Sequence, residues 1–285
     1  MKRIKKITIL GVGFMGGSLA AAIKNNFPGI SVIGYARSKA SYSKLIKLEI
    51  LDRVERDLAK SVEASDIIVL ASPIYSIVEH LKKIDPYLKE NAIVIDLGSS
   101  KEIIEKSVLK YLSKKVSFVG CHPLCGSDKS GAEFFNPNIY KGAVCLVTTP
   151  RSKGVEVIKK MWEKLGSRVV FINAKTHDKM LSSTSHLMHL ISFSLTGFVP
   201  KNYIKFAAAS LRDLTRISNS PANVWADIFI SNKNNVVRDI DKFVKTLCTF
   251  KQLIRKNKKA EIINYIKRIN KKHKALALLA NKHSI

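Results

Sequence analysis

The chain has 285 residues, 46% hydrophobic and 25% charged, which suits one large or two modest globular domains and excludes a stapled mini-protein or charge-driven disorder. Lys and Arg number 49 against 22 Asp and Glu, a formal net charge of +27, whose usual meaning is a polyanionic partner. Only 11 of the 49 are Arg, whereas groups that read phosphates and bases favour the bidentate guanidinium, so most of the excess reads as solvated surface, with neither nucleic acid nor membrane as partner.

Lys2, Arg3, Lys5 and Lys6 precede an uncharged run over 7–23 that imitates a signal peptide. Gly11, Gly13, Gly16 and Gly17 split that run, so it reads instead as a strand (4–10), a glycine turn and a helix (14–26). A strand at 30–36 and a helix at 39–48 follow. The short apolar runs 66–71 and 92–97 are typical of buried parallel strands, with helical patterns at 74–89 and 101–112. Strands at 116–120, 143–148 and 168–172 and a helix at 152–165 complete an alternation that predicts βαβ crossovers and a doubly wound, Rossmann-type α/β sheet. After residue 173 the spacing predicts helices at 175–199, 203–217, 221–250 and 259–281, with Ser220-Pro221 as a helix start. The domains expected are thus 1–173, binding a dinucleotide, and an all-helical 174–285. A helical domain without its own sheet often buries its apolar faces against a second copy, so a homodimer is expected. The basic segment 251–285 reads as an amphipathic helix with a solvated Lys face.

The four cysteines are too few and scattered for a disulfide framework. Cys121-His122-x-x-Cys125 lacks further ligands at plausible spacing, so no metal is expected, and a reducing cytoplasm fits best. Gly11-x-Gly13-x-x-Gly16 lies between strand and helix: Gly11 for the tight turn, Gly13 for close approach of a pyrophosphate, Gly16 for helix–strand packing. Phe14, Met15 and Ser72 complete the candidate contacts of that turn. The second strand ends Ala36-Arg37-Ser38 where an acid would bind a ribose diol. Arg37 and Ser38 favour a 2′-phosphate, hence NADP over NAD, although Arg37 can equally be one more solvated cation. Beyond the strand ends, where open α/β sheets bind ligands, lie Ser99, also readable as a capping box with Glu102, and His122, held on extended backbone by Pro123.

The segments GVGFMGGS (11–18), DLGSSK (96–101), GCHPLCGSDKSG (120–131), THDKMLSSTSHLMH (176–189) and LRDLTRIS with PANVWADI (211–228) together resemble the prephenate/arogenate dehydrogenase family of tyrosine biosynthesis, over nearly the whole chain. The resemblance implies a Rossmann domain, a helical dimerisation domain and an NAD(P)-dependent oxidative decarboxylation of a cyclohexadienol, prephenate or, alternatively, arogenate. It implies His122 as the group that accepts the hydroxyl hydrogen bond as hydride leaves, Ser99 as its partner on that hydroxyl, and Arg216 as the clamp on a substrate carboxylate. Asp178, Ser182, Ser185 and His189 share a helix face by their spacing; with His186 they extend the pocket. Asp178 is expected to pair with a basic group there, and Asp213 to orient Arg216. His189 near the side chain favours prephenate, a keto acid. Met188 stands where the family usually has Pro, which predicts a straighter helix. No regulatory domain is seen after the helices, so feedback by tyrosine would act at the active site. Two other readings compete: a nucleic-acid-binding Rossmann protein, on the charge, and a β-hydroxyacid dehydrogenase with Lys175 or Lys179 as catalytic Lys, which leaves the segments of His122 and Arg216 unexplained.

Overall fold

The computed structural model describes residues 4–126, 129 and 131–281; positions 127, 128 and 130 of the glycine-rich family segment, and Lys2, Arg3 and Lys282 of the basic ends, lie outside them. One sheet carries eight strands in the order β3-β2-β1-β4-β5-β6-β7-β8: β1 (Lys6–Leu10), β2 (Ser31–Tyr35), β3 (Arg53–Glu55), β4 (Ile67–Leu70), β5 (Ile93–Asp96), β6 (Ser117–Pro123), β7 (Val144–Val147) and β8 (Arg168–Phe171). Alternate residues of β1, β4 and β5 feed two cores. Ile7, Ile9, Ile67, Val69, Ile93 and Ile95 join one, and Leu10, Ile68, Leu70 and Val94 the other. Burial on both faces is why these strands read as continuous apolar runs. Helices α1 (Phe14–Asn26) and α6 (Val155–Lys164) cover the first face, and α4 (Ile74–Ile84) and α5 (Glu102–Tyr111) the second.

Two features depart from expectation. The sheet is not wholly parallel: β6 pairs antiparallel with β7, because the described residues between Pro123 and Val144 hold a 3-10 turn, Ala132–Phe134, and no crossover helix. Helix α2 (Lys39–Ile46) falls where a helix was expected, but the short β3 and the five-residue α3 (Leu58–Val62) after it were hidden by charged residues. Their order comes from Asp57, whose carboxylate caps α3 through the N–H of Ala59 and Lys60. As expected of a doubly wound sheet, β1 lies between β2 and β4. This reversal of strand order opens the crevice in which such sheets bind ligands.

After Phe171 every described element is helical: α7 (Ala174–Leu181), α8 (Leu187–Phe198), α9 (Ala209–Thr215), α10 (Ala222–Ser231), α11 (Lys233–Arg255) and α12 (Lys259–Asn281). Pro221 is the N-cap of α10 rather than its first helical residue, and the Ser220 hydroxyl turns back to the Ile217 carbonyl. Compactness divides the chain after Lys233, so α7 to α10 belong to the same unit as the sheet. The second unit begins at Asn234; within it Phe250 of α11 meets Tyr265 of α12 edge-on, 4.8 Å between ring centroids. Among the described residues no helix is long and apolar enough to cross a membrane.

Candidate active site

A cleft of about 850 Å³ runs from the glycine turn to the helices of the first unit. At its sheet end Gly11 holds a φ of +98°, and a Cβ there would lie 2.4 Å from the Ser72 amide nitrogen. A Cβ on Gly16 would meet the Gly11 carbonyl at 2.3 Å, whereas one on Gly13 would meet nothing within 4 Å. Only glycine therefore fits the turn and the helix–strand contact, while Gly13 presents bare backbone to open space at the start of α1, whose first turn carries no acid. That is the cradle a pyrophosphate requires. Gly13, Phe14, Met15 and Ser72 line the cleft; Gly11 and Gly16 support it from behind. Arg37 is exposed beyond the end of β2, and the Ser38 hydroxyl caps α2 through the Ser41 N–H at 3.1 Å.

The catalytic end is built on a buried ion pair. Lys101 and Asp96 are both fully buried and bonded to each other. Lys101 also donates to the Cys121 carbonyl (2.7 Å), and Asp96 accepts from the N–H of Gly98 (2.8 Å) and Cys121 (3.3 Å). The DLGSSK segment thus clamps the end of β5 to β6 and fixes the backbone that carries His122. Ser99 lines the cleft and is free of capping duty. The N-terminus of α5 has no local side-chain cap; instead Asp178 accepts from the N–H of Lys101 (2.8 Å) and Glu102 (3.0 Å).

This corrects the expectation for Asp178. It is 1% exposed and, rather than pairing with a basic group at the pocket, it also bonds His177 Nδ1 at 2.8 Å. His177 Nε2 in turn lies 2.8 Å from His122 Nδ1. Burial pushes the Asp178 carboxyl up, but bonds from His177 and the two N–H groups outweigh this and hold it below its usual value. Burial also holds His177 below the usual histidine range and His122 well below it, with His177, Lys101 and His186 adding to the depression. Neutral rings leave one consistent proton assignment. His177 donates from Nδ1 to Asp178 and accepts at Nε2 from His122 Nδ1–H, so His122 Nε2 carries the lone pair. His177 was inside a recognised segment but had no periodic signal of its own; its link to His122 spans 55 positions.

The opposite wall comes from α7 to α10. A π-turn, Ser182–His186, interrupts the helix between α7 and α8. It advances the segment by one residue, a device common at functional sites, ahead of Met188, which lies in the regular helix α8. Asp178 and Ser182 turn inward, while Ser185, His186 and His189 line the cleft. Asn232 donates from Nδ2 to the Asp178 carbonyl (2.7 Å) and to His186 Nδ1 (3.1 Å). His186 Nε2 then carries the proton, buried and without a partner, and burial lowers the ring to about 4. His189 donates from Nδ1 to the Ser185 carbonyl at 3.1 Å and stacks on Trp225, with centroids 3.5 Å apart. Trp225 was not singled out as a site residue. Arg216 lines the cleft at the start of a 3-10 turn, Arg216–Asn219; among the described residues no ion pair or hydrogen bond joins it to Asp213, which is exposed on α9. No carboxylate lines the cleft among the described residues, nor do any three His, Cys, Asp or Glu form a metal-binding group.

A dinucleotide cradle, a neutral imidazole with its base nitrogen free and an arginine across the cleft define an oxidoreductase of the nicotinamide-dinucleotide class, acting on a small anionic substrate. Two family models match: prephenate dehydrogenase, nucleotide-binding domain, over residues 19–171, and prephenate dehydrogenase, dimerization domain, over 173–268. The chain belongs to the prephenate dehydrogenase family. It is 32% identical over 253 residues to the prephenate dehydrogenase of Lactococcus lactis, covering 86% of this chain and 70% of the relative. It is 28% identical to the cyclohexadienyl dehydrogenase of Zymomonas mobilis, covering 97% of each. The crystal structure of prephenate dehydrogenase from Aquifex aeolicus with hydroxyphenyl propionate and NAD+ superposes with a TM-score of 0.88 at 31% identity, covering 96% of this chain and 99% of that one.

Proposed function

We propose that the chain oxidises and decarboxylates prephenate to 4-hydroxyphenylpyruvate in tyrosine biosynthesis, as a cytoplasmic homodimer that uses NADP in preference to NAD. The observation that carries the reaction is the Asp178–His177–His122 chain, which leaves a lone pair on a His facing an arginine-bearing cleft. His122 Nε2 accepts the proton of the substrate hydroxyl, with Ser99 as a second partner on that oxygen. A bound nicotinamide would supply the acceptor for the hydride that leaves the carbon bearing the hydroxyl. The C–C bond to the ring carboxylate then breaks, its electron pair enters the ring, and the proton on His122 returns to the oxygen of the new phenol. Arg216 holds a substrate carboxylate by its paired N–H groups. His186 offers its unpartnered N–H, and His189 on Trp225 forms the wall beside the side chain.

Prephenate is favoured over arogenate because His189 and His186 line the cleft where the side chain, a keto acid in prephenate, would lie. NADP is favoured because Ala36, 2% exposed, stands where a diol-binding acid would be, and Glu55, beside it on β3, is paired with Arg53. Reduction of NADP and NAD, each with prephenate and with arogenate, tests both choices. Turnover with arogenate alone, or a higher kcat/KM with NAD, reverses the corresponding one.

A further inference from the structure

One titratable ring lies outside the catalytic end and takes no part in the mechanism above. His80, on α4, places Nδ1 3.2 Å from the Ser72 hydroxyl. Its ring meets Tyr35 edge-on, at 6.0 Å between centroids and 88° between planes. Tyr35 closes β2 two residues before Arg37, and the Ser72 backbone packs against Gly11. His80 therefore stands between the glycine turn and the end of β2, the two elements that flank the adenosine ribose in a Rossmann sheet. Its Nδ1 is engaged by Ser72, and among the described residues no bond to Nε2 is made.

We infer that His80 joins Arg37 as a specificity determinant for the ribose 2′-phosphate, taking up a proton when that phosphate binds. The inference rests on the NADP reading. The groups that face the ring are Tyr35 and Arg37 from β2 and its extension, Ser72 after β4, and Glu79 and Lys83 from its own helix. Burial holds its proton affinity below the usual histidine range, Lys83 and Arg37 lower it further, and Glu79 opposes them. The free ring is thus neutral at pH 7. A phosphate carrying close to two negative charges reverses the sign of that field, and the ring becomes a cation that donates to the phosphate. NAD, with a neutral hydroxyl at the same position, provides no such gain.

Titration calorimetry of the full chain with 2′,5′-ADP and with 5′-ADP, in buffers of different ionisation enthalpy near pH 7, tests this on wild type, His80→Gln and Arg37→Ala. The wild type is expected to bind 2′,5′-ADP the more tightly. His80→Gln should weaken that ligand about tenfold, the size of one charge-assisted hydrogen bond, leave 5′-ADP within about twofold, and bind with less proton uptake than wild type. Equal weakening of both ligands would make His80 an adenine-packing residue and overturn the inference. Unchanged discrimination and proton uptake in His80→Gln, with discrimination lost in Arg37→Ala, would overturn it while leaving the NADP reading intact. A wild type that does not distinguish the two ligands overturns both.

Discussion

In the proposed mechanism His122 does not act alone, since the ring nitrogen offered to substrate is chosen by the bond made at the other one. Replacing His122 by Asn should lower kcat by roughly 10²–10⁴-fold, the usual worth of a positioned base, in steady-state assays with saturating substrate. Replacing His177 by Leu keeps the base but removes the acceptor that fixes its tautomer. By analogy with the orienting carboxylate of serine-protease triads, kcat should fall by about 10²–10⁴-fold, with KM for the substrate changed far less. The pH profile follows from the direction of the His122 shift. Its folded pKa lies well below 6.5 and the neutral form is the active one, so kcat/KM should stay level as pH falls through 6.5 and drop only in more acidic solution. An acid limb centred at or above 6.5 would contradict the buried-base assignment. Ser99 and Arg216, singled out because they sit in ordered family segments, both line the cleft, but the division of labour around them was not readable. The capping role that Ser99-x-x-Glu102 advertises belongs to Asp178, 76 and 77 residues away from the amides it caps, and no local pattern encodes such a contact.

At the scale of elements, the strands and most helices could be read because both-face burial and helical spacing are local properties of the chain. What escaped was set by tertiary partners: the reversal of β7, the short β3 and α3 among charged residues, and the π-turn at Ser182–His186. That π-turn stores a pH liability. His186 is buried and neutral, with its pKa lowered to about 4, whereas the unfolded chain protonates it near 6.5. Above 6.5 both states are neutral and nothing is lost. As pH falls from 6.5 towards 4 the unfolded state binds the proton first, so stability declines, by about 3 kcal/mol for this residue at the lower end. In urea melts between pH 7 and pH 4, wild type should lose about 3 kcal/mol more than His186→Gln; parallel curves would refute the assignment. The clamp of β5 to β6 makes a second element-scale prediction. Lys101→Met strands a buried Asp96 carboxylate and should cost about 3–5 kcal/mol of unfolding free energy. The double variant Asp96→Asn with Lys101→Met should recover part of that loss, since both charges leave together.

For the whole molecule, the +27 charge and the apolar surface of the second unit pull in opposite directions. Charge repels copies of the chain, and, with Arg216 as the arginine lining the cleft, it favours encounter with an anionic substrate, so kcat/KM should fall as ionic strength rises. The helices beyond Asn234 nevertheless expose apolar side chains in a pattern: Val237 (56%), Val244 (48%), Leu247 (52%) and Ile254 (62%) recur at spacings of seven, three and seven along α11. A stripe with that period is a packing seam, and the family model that covers these residues is a dimerization domain. A second copy of the chain supplies a matching seam at no further cost in sequence, because a two-fold interface is self-complementary. Sedimentation equilibrium should therefore give about twice the 31.8 kDa chain mass at micromolar concentration, and raising the salt should tighten the association by screening the like charges. Leu247→Glu with Ile254→Glu should convert the protein to a folded monomer, because those side chains face solvent in the single chain and carry none of its own core. A wild-type monomer at these concentrations, or a double variant that remains dimeric, would place the interface elsewhere.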